Sequence, residues 1–272
     1  MAQWVVKKFQ RAKIYFQLWV TVAKYAFAEV FVNRWTSALF LFGKVVRFGM
    51  SLFFLTLLQR TISGFAGYTT NQIIIFFLSY QILDTLSQIF YRGVYTFSWK
   101  VKSGELDFYL AKPINPLFRI LTGEPDMIDI LFFFPTTLVS IFFISQLAGP
   151  IHLASIFAYL LLLINGFLIA TSFHIMVICL GVLTTEVDNA IMLYRDINNL
   201  ARFPVTMYRE PFRSVLFWLV PVGLMNTIPA QALLNLPTSQ SMLLTVLVGG
   251  GFFLASLRMW AWSMKKYTSA GG

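Results

Sequence analysis

Five blocks of this chain stay apolar for long enough to cross a lipid bilayer: residues 36–58, 70–91, 128–147, 153–183 and 241–262. A hydrocarbon core of about 30 Å takes roughly 20 helical residues to span. Inside that core the backbone has no water to bond, so each block reads as a helix that satisfies its own polar groups. The class this implies is an all-α polytopic membrane protein. Composition agrees, with 12% of the residues charged and 58% apolar and a mean hydropathy of +0.72; a soluble domain is about a quarter charged. A length of 272 residues allows six spanning helices with short connections, a single membrane domain over 1–272.

The formal charge is +10, but the cations gather beside the apolar blocks. Six of them precede Thr36, five lie in 92–126, and Lys265 and Lys266 follow the last block. If the helices alternate, all three groups fall on one face, which the bias of Lys and Arg toward the cytoplasm makes the inner one. Both termini and the 92–126 segment are therefore expected to be cytoplasmic. The opposite connections carry little besides Arg60 and His152. Lipid headgroups and topology account for these charges, and no nucleic-acid partner is expected. Within 1–34, Phe9, Ala12, Phe16, Trp19, Ala23 and Phe27 recur at helical steps, with Lys7, Arg11, Lys13 and Lys24 mostly off that arc. That pattern suits an amphipathic helix lying in the membrane interface.

Residues 184–237 admit two readings. Hydropathy alone makes 184–213 a cytoplasmic loop and 214–234 a proline-kinked fifth span. The alternative is a polar fifth helix over 186–208, followed by a re-entrant hairpin over 208–235 on the outer side. Pro221 and Pro229 break the helix there, and Asn226 between them can bond freed backbone groups. Two intramembrane charges also need an account. Arg47 and Asp84 lie about two turns or more inside the first and second spans, at similar depth. A lone charge at a helix centre costs about 2.5–3.5 kcal/mol, so a direct Arg47–Asp84 contact is expected.

Much chemistry is missing from the sequence. Cys179 is the lone cysteine, so no intramolecular disulfide or cysteine-pair metal site forms. His152 and His174 are far apart and without companions at metal-ligand spacing. There is no phosphate-binding loop, nucleophile elbow or dinucleotide fingerprint. Neither an enzyme nor a resident cofactor is expected, and the 1–34 stretch lacks a convincing cleavage site for a leader.

Two motifs point to a family. Lys102-Ser103-Gly104-Glu105-Leu106-Asp107-Phe108-Tyr109-Leu110-Ala111-Lys112-Pro113, running on through Ile114-Asn115-Pro116-Leu117, resembles a cytoplasmic signature of the membrane subunits of type-2 ABC exporters. Ala201-Arg202-Phe203-Pro204-Val205-Thr206-Met207-Tyr208 resembles the second signature of the same subfamily, long labelled as of unknown function. Downstream, Leu219-Val220-Pro221 and Asn226-Thr227-Ile228-Pro229-Ala230 extend that resemblance. The resemblance implies a permease of six spanning helices in a bacterial inner membrane, working as a homodimer or with a paralogue. Separate ATP-binding subunits would supply the energy, and the substrate, whether lipid, glycan, peptide or drug, would be exported. By carry-over, Lys102, Gly104, Glu105, Asp107 and Lys112 belong to the segment that couples to those subunits. The resemblance also favours the outer hairpin, although Arg202, Arg209 and Arg213 would then lie toward the outside. The other reading from the sequence is a non-transporting scaffold or sensor whose cytoplasmic loop docks a protein.

Overall fold

The computed structural model describes residues 2–61, 64–147, 152–184 and 188–268. Glu186, near the start expected for the fifth helix, lies outside them. Two helices open the chain, α1 (Ala2–Val32) and α2 (Arg34–Thr61), joined at Asn33. A two-residue hairpin follows, in which β1 (Gly64–Phe65) pairs antiparallel with β2 (Tyr68–Thr69). Helix α3 (Thr70–Tyr91) starts directly after it because Thr69 and Gln72 cap each other's backbone reciprocally. It is the most buried of the long helices, with α2 and the later helices Met127–Ser145 and Leu153–Thr184 packed against it, while Ser239–Met264 packs on Leu153–Thr184.

Beyond α3 the chain does not become a loop. A 3-10 turn (Arg92–Thr96) leads into α4 (Phe97–Lys102), α5 (Glu105–Ala111) and α6 (Pro116–Thr122). Gly104 makes the α4–α5 corner at φ +75°, a conformation that side chains rarely adopt. Asn115 accepts from Leu117 N at 2.9 Å, and Pro116 occupies the first turn of α6, where its missing N–H is not needed. This small-helix layer buries Phe97, Leu106 and Ile120 in one cluster with Ile178 and Val182 of the long helix Leu153–Thr184, with Trp260 packed alongside. Helix α1 lies along the same layer. Its Trp19 ring stacks on Phe90 at 5.4 Å, and its Tyr15 hydroxyl accepts from Asn115 N at 3.0 Å.

Asp126 caps α7 (Met127–Ser145), and α8 (Leu153–Thr184), α9 (Asp188–Leu200) and the bent pair α10 (Phe212–Leu219) and α11 (Gly223–Leu233) follow; α12 (Ser239–Met264) closes the bundle. Among the described residues, α2, α3, α7, α8 and α12 are long and apolar enough to cross a membrane, matching the five sequence blocks.

Side-chain contacts fix the course of residues 188–235. Helix α9 descends beside α3: Arg195 lies over the Tyr95 ring, Asn198 donates to Asp84, Tyr80 donates to Asn199, and Thr206 meets Tyr68. Residues 188–207 thus run the length of α3. The bent pair does not. Its tip residue Asn226 donates to Asn198 at 3.0 Å, and on the return Gln231 donates to the Tyr68 hydroxyl at 2.8 Å. Both limbs therefore end at the β-hairpin end of the bundle, and α10 and α11 meet at 79°. The tip reaches the level of Asp84, about 20 Å along α3 from Thr70. The pair α10–α11 is thus a broken span or a re-entrant loop, and the contacts of both its flanks with Tyr68 suit the second of the two readings of the sequence.

Candidate functional site: a charged cavity tied to the hairpin tip

Lys44 and Arg47 sit three residues apart on α2, so they share a face. That face looks into a cavity of about 540 Å³ between α2, α3, α7 and α9. Asp84 of α3, Asp129 of α7 and Arg195 of α9 line it too, with Arg92 and Asp126 beside them. The charges are partitioned. Lys44 Nζ is 2.6 Å from Asp129 Oδ2 and 3.8 Å from Asp126 Oδ2, and Arg92 Nε is 3.8 Å from Asp126 Oδ2. Asp126 also accepts from Ile128 N at the start of α7. Among the described residues neither Arg47 nor Arg195 is in an ion pair. The guanidinium of Arg195 lies 5.6 Å from the centre of the Tyr95 ring, which Arg92 covers at 5.0 Å.

The direct Arg47–Asp84 contact expected from the sequence is therefore not made. Both side chains line the same cavity, and Arg47 exerts the strongest field of any cation on Asp84, followed by Arg195. Asp84 Oδ1 instead accepts from Asn198 Nδ2 at 3.3 Å. The reason lies in α9, whose packing against α3 brings an amide to the carboxylate, while Lys44, one turn before Arg47, is taken by α7.

From Asp84 a chain of side-chain amides runs to the hairpin. Asn198 receives Asn226 Nδ2 at 3.0 Å, and that same amide group lies 3.3 Å from Val222 O, so Asn226 serves both the backbone near the break and the next helix. Pro221 stands in the break itself. The turns on either side, Val215–Leu219 and Gly223–Thr227, are wide π-helical ones. Pro229 follows the second of these, where a widened turn leaves room for a ring that clashes in a regular helix. The tip is seated on α8 at Gly166, where a Cβ atom would come within 2.5 Å of Met225 O. Thr227 Oγ1 accepts from Val205 N at 3.0 Å, and Arg202 donates to Asn199 at 3.0 Å. Movement of the tip thus has a hydrogen-bonded route to a carboxylate of the cavity.

In the small-helix layer, Lys102 and Lys112 are exposed and Gly104 forms the corner already described. Glu105 accepts from the Tyr109 hydroxyl, and Asp107 Oδ1 accepts from the Tyr267 hydroxyl at 3.0 Å. Burial, reinforced by that bond to Asp107, pushes the Tyr267 phenol up to about 12, so it stays a donor at neutral pH. Lys100 is buried and pairs with Glu124. Of the two carboxylates of the sequence motif, Glu105 thus bonds within its own helix and Asp107 ties the layer to the segment after α12. Beside Lys102 and Lys112 the layer also turns two large aromatic side chains outward: Trp99 is 65% exposed and Phe108 68%.

Arg195, Asn198, Trp99 and Phe108 are absent from the site residues expected from the sequence. Signals for them exist. Ile191, Tyr194, Asn198 and Ala201 recur at steps of three and four, which puts Asn198 on a buried face. Leu106 and Tyr109 share the inner face of α5, which leaves Phe108 outside.

Residues 45–271 match the family model described as ABC-2 family transporter protein. No curated protein and no solved structure matches the chain. The cavity residues from Arg47 onward, the small-helix layer and the hairpin all lie within the matched stretch.

Proposed function

The chain belongs to the ABC-2 transporter family, and from that premise we propose that it is the membrane subunit of an ATP-driven exporter. It pairs with a second permease subunit, identical or paralogous, and draws energy from separate ATP-binding subunits on the cytoplasmic side of a bacterial inner membrane. The small-helix layer is their docking surface, with Lys102, Gly104, Glu105, Asp107 and Lys112 in its frame. Both termini are cytoplasmic, and 208–235 is a re-entrant hairpin that closes the path on the outer side.

The observation that carries this reading is the outward pair Trp99 and Phe108, on helices locked from behind by Val101 and Leu106. Two aromatic side chains held rigidly in water, at the end of the bundle where the cations collect, are a surface that a protein partner covers. Such a surface also transmits force, because α4, which carries Trp99, packs directly on α8, and α5 packs on α4 and α6. The hairpin is supported by the contacts of Thr206 and Gln231 with Tyr68, which bring both limbs to one end of the bundle.

Affinity purification of the full chain in mild detergent tests the proposal. A co-captured polypeptide with ATPase activity is expected with the wild type and lost with Phe108→Asp, while membrane insertion is unchanged. Phe108 is a cleaner probe than Glu105 or Asp107, since replacing either carboxylate disturbs the layer itself. Equal ATPase capture by wild type and variant contradicts the docking surface, and no ATPase with either contradicts the exporter.

A further inference from the structure

We infer that the cavity between α2, α3, α7 and α9 receives the phosphate headgroup of an amphiphile drawn from the bilayer. The argument begins with the charges left over. Four cations and three carboxylates line the cavity: Asp126 and Asp129 are paired with Lys44, while Asp84 accepts only from the neutral amide of Asn198 and shares the space with Arg47 and Arg195, so one positive charge is left over. The cations without a carboxylate are Arg47 and Arg195. Against these two guanidinium groups stands the single carboxylate of Asp84, which leaves the cavity one anion short. Arg47 stands about 20 Å along α2 from Arg34, at membrane depth, where an unpaired charge marks a functional site. Two guanidinium groups facing one space suit phosphate oxygens, which they grip through paired N–H donors.

The surroundings favour a lipid-borne phosphate over a free one. Leu39 is 70% exposed and Phe40 61%, and both border the cavity on the open face of α2, giving a tail an apolar surface beside the charged space. A volume of about 540 Å³ holds a headgroup and leaves the chains outside. A second groove, between α1, the start of α2, the turn after α3 and the start of α7, with Glu29 and Glu124 among its lining residues, meets the cavity and shares Phe40, Arg92, Asp126 and Ile128 with it. An interfacial α1 opens that groove at the level of the lipid headgroups, a path from the cytoplasmic leaflet to Arg47. On the transport reading, on which this role rests, the substrate is then a phosphorylated amphiphile. Its headgroup arrives beside Asp84, the end of the amide chain that leads to the hairpin tip.

Binding is measured on the detergent-purified full chain alone, by thermophoretic titration with three probes: dihexanoyl phosphatidic acid, dihexanoylglycerol and inorganic phosphate. Phosphatidic acid is expected to bind about tenfold or more tightly than either of the others, and Arg47→Gln and Arg195→Gln each to weaken it about tenfold, the loss of one charge-assisted contact. Arg47→Lys, which keeps the charge, should retain most of the affinity, and unchanged melting temperatures show that the variants fold. Equal affinity for phosphatidic acid in wild type and both Gln variants overturns the inference. So does inorganic phosphate binding as tightly as the lipid, which identifies a soluble-anion site, or dihexanoylglycerol doing so, which identifies an apolar one. If Arg47→Gln instead splits a dimer in size-exclusion chromatography and leaves lipid binding intact, Arg47 is a contact between copies and the inference falls. No ATP-binding subunit is present, so failure here leaves the exporter reading standing, and failure of ATPase capture leaves the binding result standing.

Discussion

Lys44 is a single residue whose removal is costly because of what it leaves behind. Its ammonium group lies 2.6 Å from an Asp129 carboxylate whose side chain is only 5% exposed. Removing one partner of a buried pair strands the other charge, at a cost of about 3 kcal/mol, whereas replacing both with apolar groups is close to neutral. Lys44→Met is therefore expected to lower the melting temperature in detergent, and the double variant Lys44→Met with Asp129→Leu to recover most of the loss. A double variant no better than the single one contradicts the pairing. Arg47 differs in kind. It lines the same cavity without an ion pair, so Arg47→Gln should change stability little and act on what the cavity binds. The sequence points to Arg47 and Asp84 as charges out of place, and both do line one cavity. Their partners were not legible, because the contacts of Lys44 with α7 and of Asp84 with α9 join residues far apart in sequence.

At the scale of elements, the seat of the hairpin tip depends on backbone approaching backbone. Gly166→Ala adds a Cβ within 2.5 Å of Met225 O, an overlap with backbone that no rotamer relieves. A shift of α8 or of the tip must follow, costing about 1–3 kcal/mol. The expected results are a lower melting temperature and weaker protection from hydrogen exchange over Gly223–Leu233, with α2 and α3 unaffected. Protection equal to wild type contradicts the seat. The five long helices were legible as apolar blocks, and the hairpin as one of two readings, because Pro221 and Pro229 signal a break but not the side from which the chain enters. Helix α9 was harder to read. Its 13 residues mix Arg195, Asp196, Asn198 and Asn199 with Ile191 and Tyr194, and only tertiary packing makes that pattern a traverse. The small-helix layer, a polar stretch by composition, is ordered by Leu106, Tyr109 and Ile120 facing the ends of α8 and α12.

For the molecule as a whole, the account requires the two ends of the bundle to face different compartments. The layer proposed to meet an energy source lies at one end, and the mouth of the proposed hairpin at the other. Arg202, Arg209 and Arg213 weaken the charge argument for that orientation. Arg202 is held by Asn199 and the Tyr80 ring, and Arg213 pairs with Glu210 at 2.8 Å, so two of the three are engaged within the chain. On the proposed orientation, the more numerous cations at the other end, before Thr36 and in the 92–126 segment, govern insertion. The most direct test is labelling of single-cysteine variants in a Cys179→Ala background, using an impermeant maleimide on intact cells. The account predicts labelling of Arg209→Cys from outside, and labelling of Ser103→Cys only after the cells are opened. Labelling of Ser103→Cys in intact cells, or of Arg209→Cys only in opened ones, contradicts it.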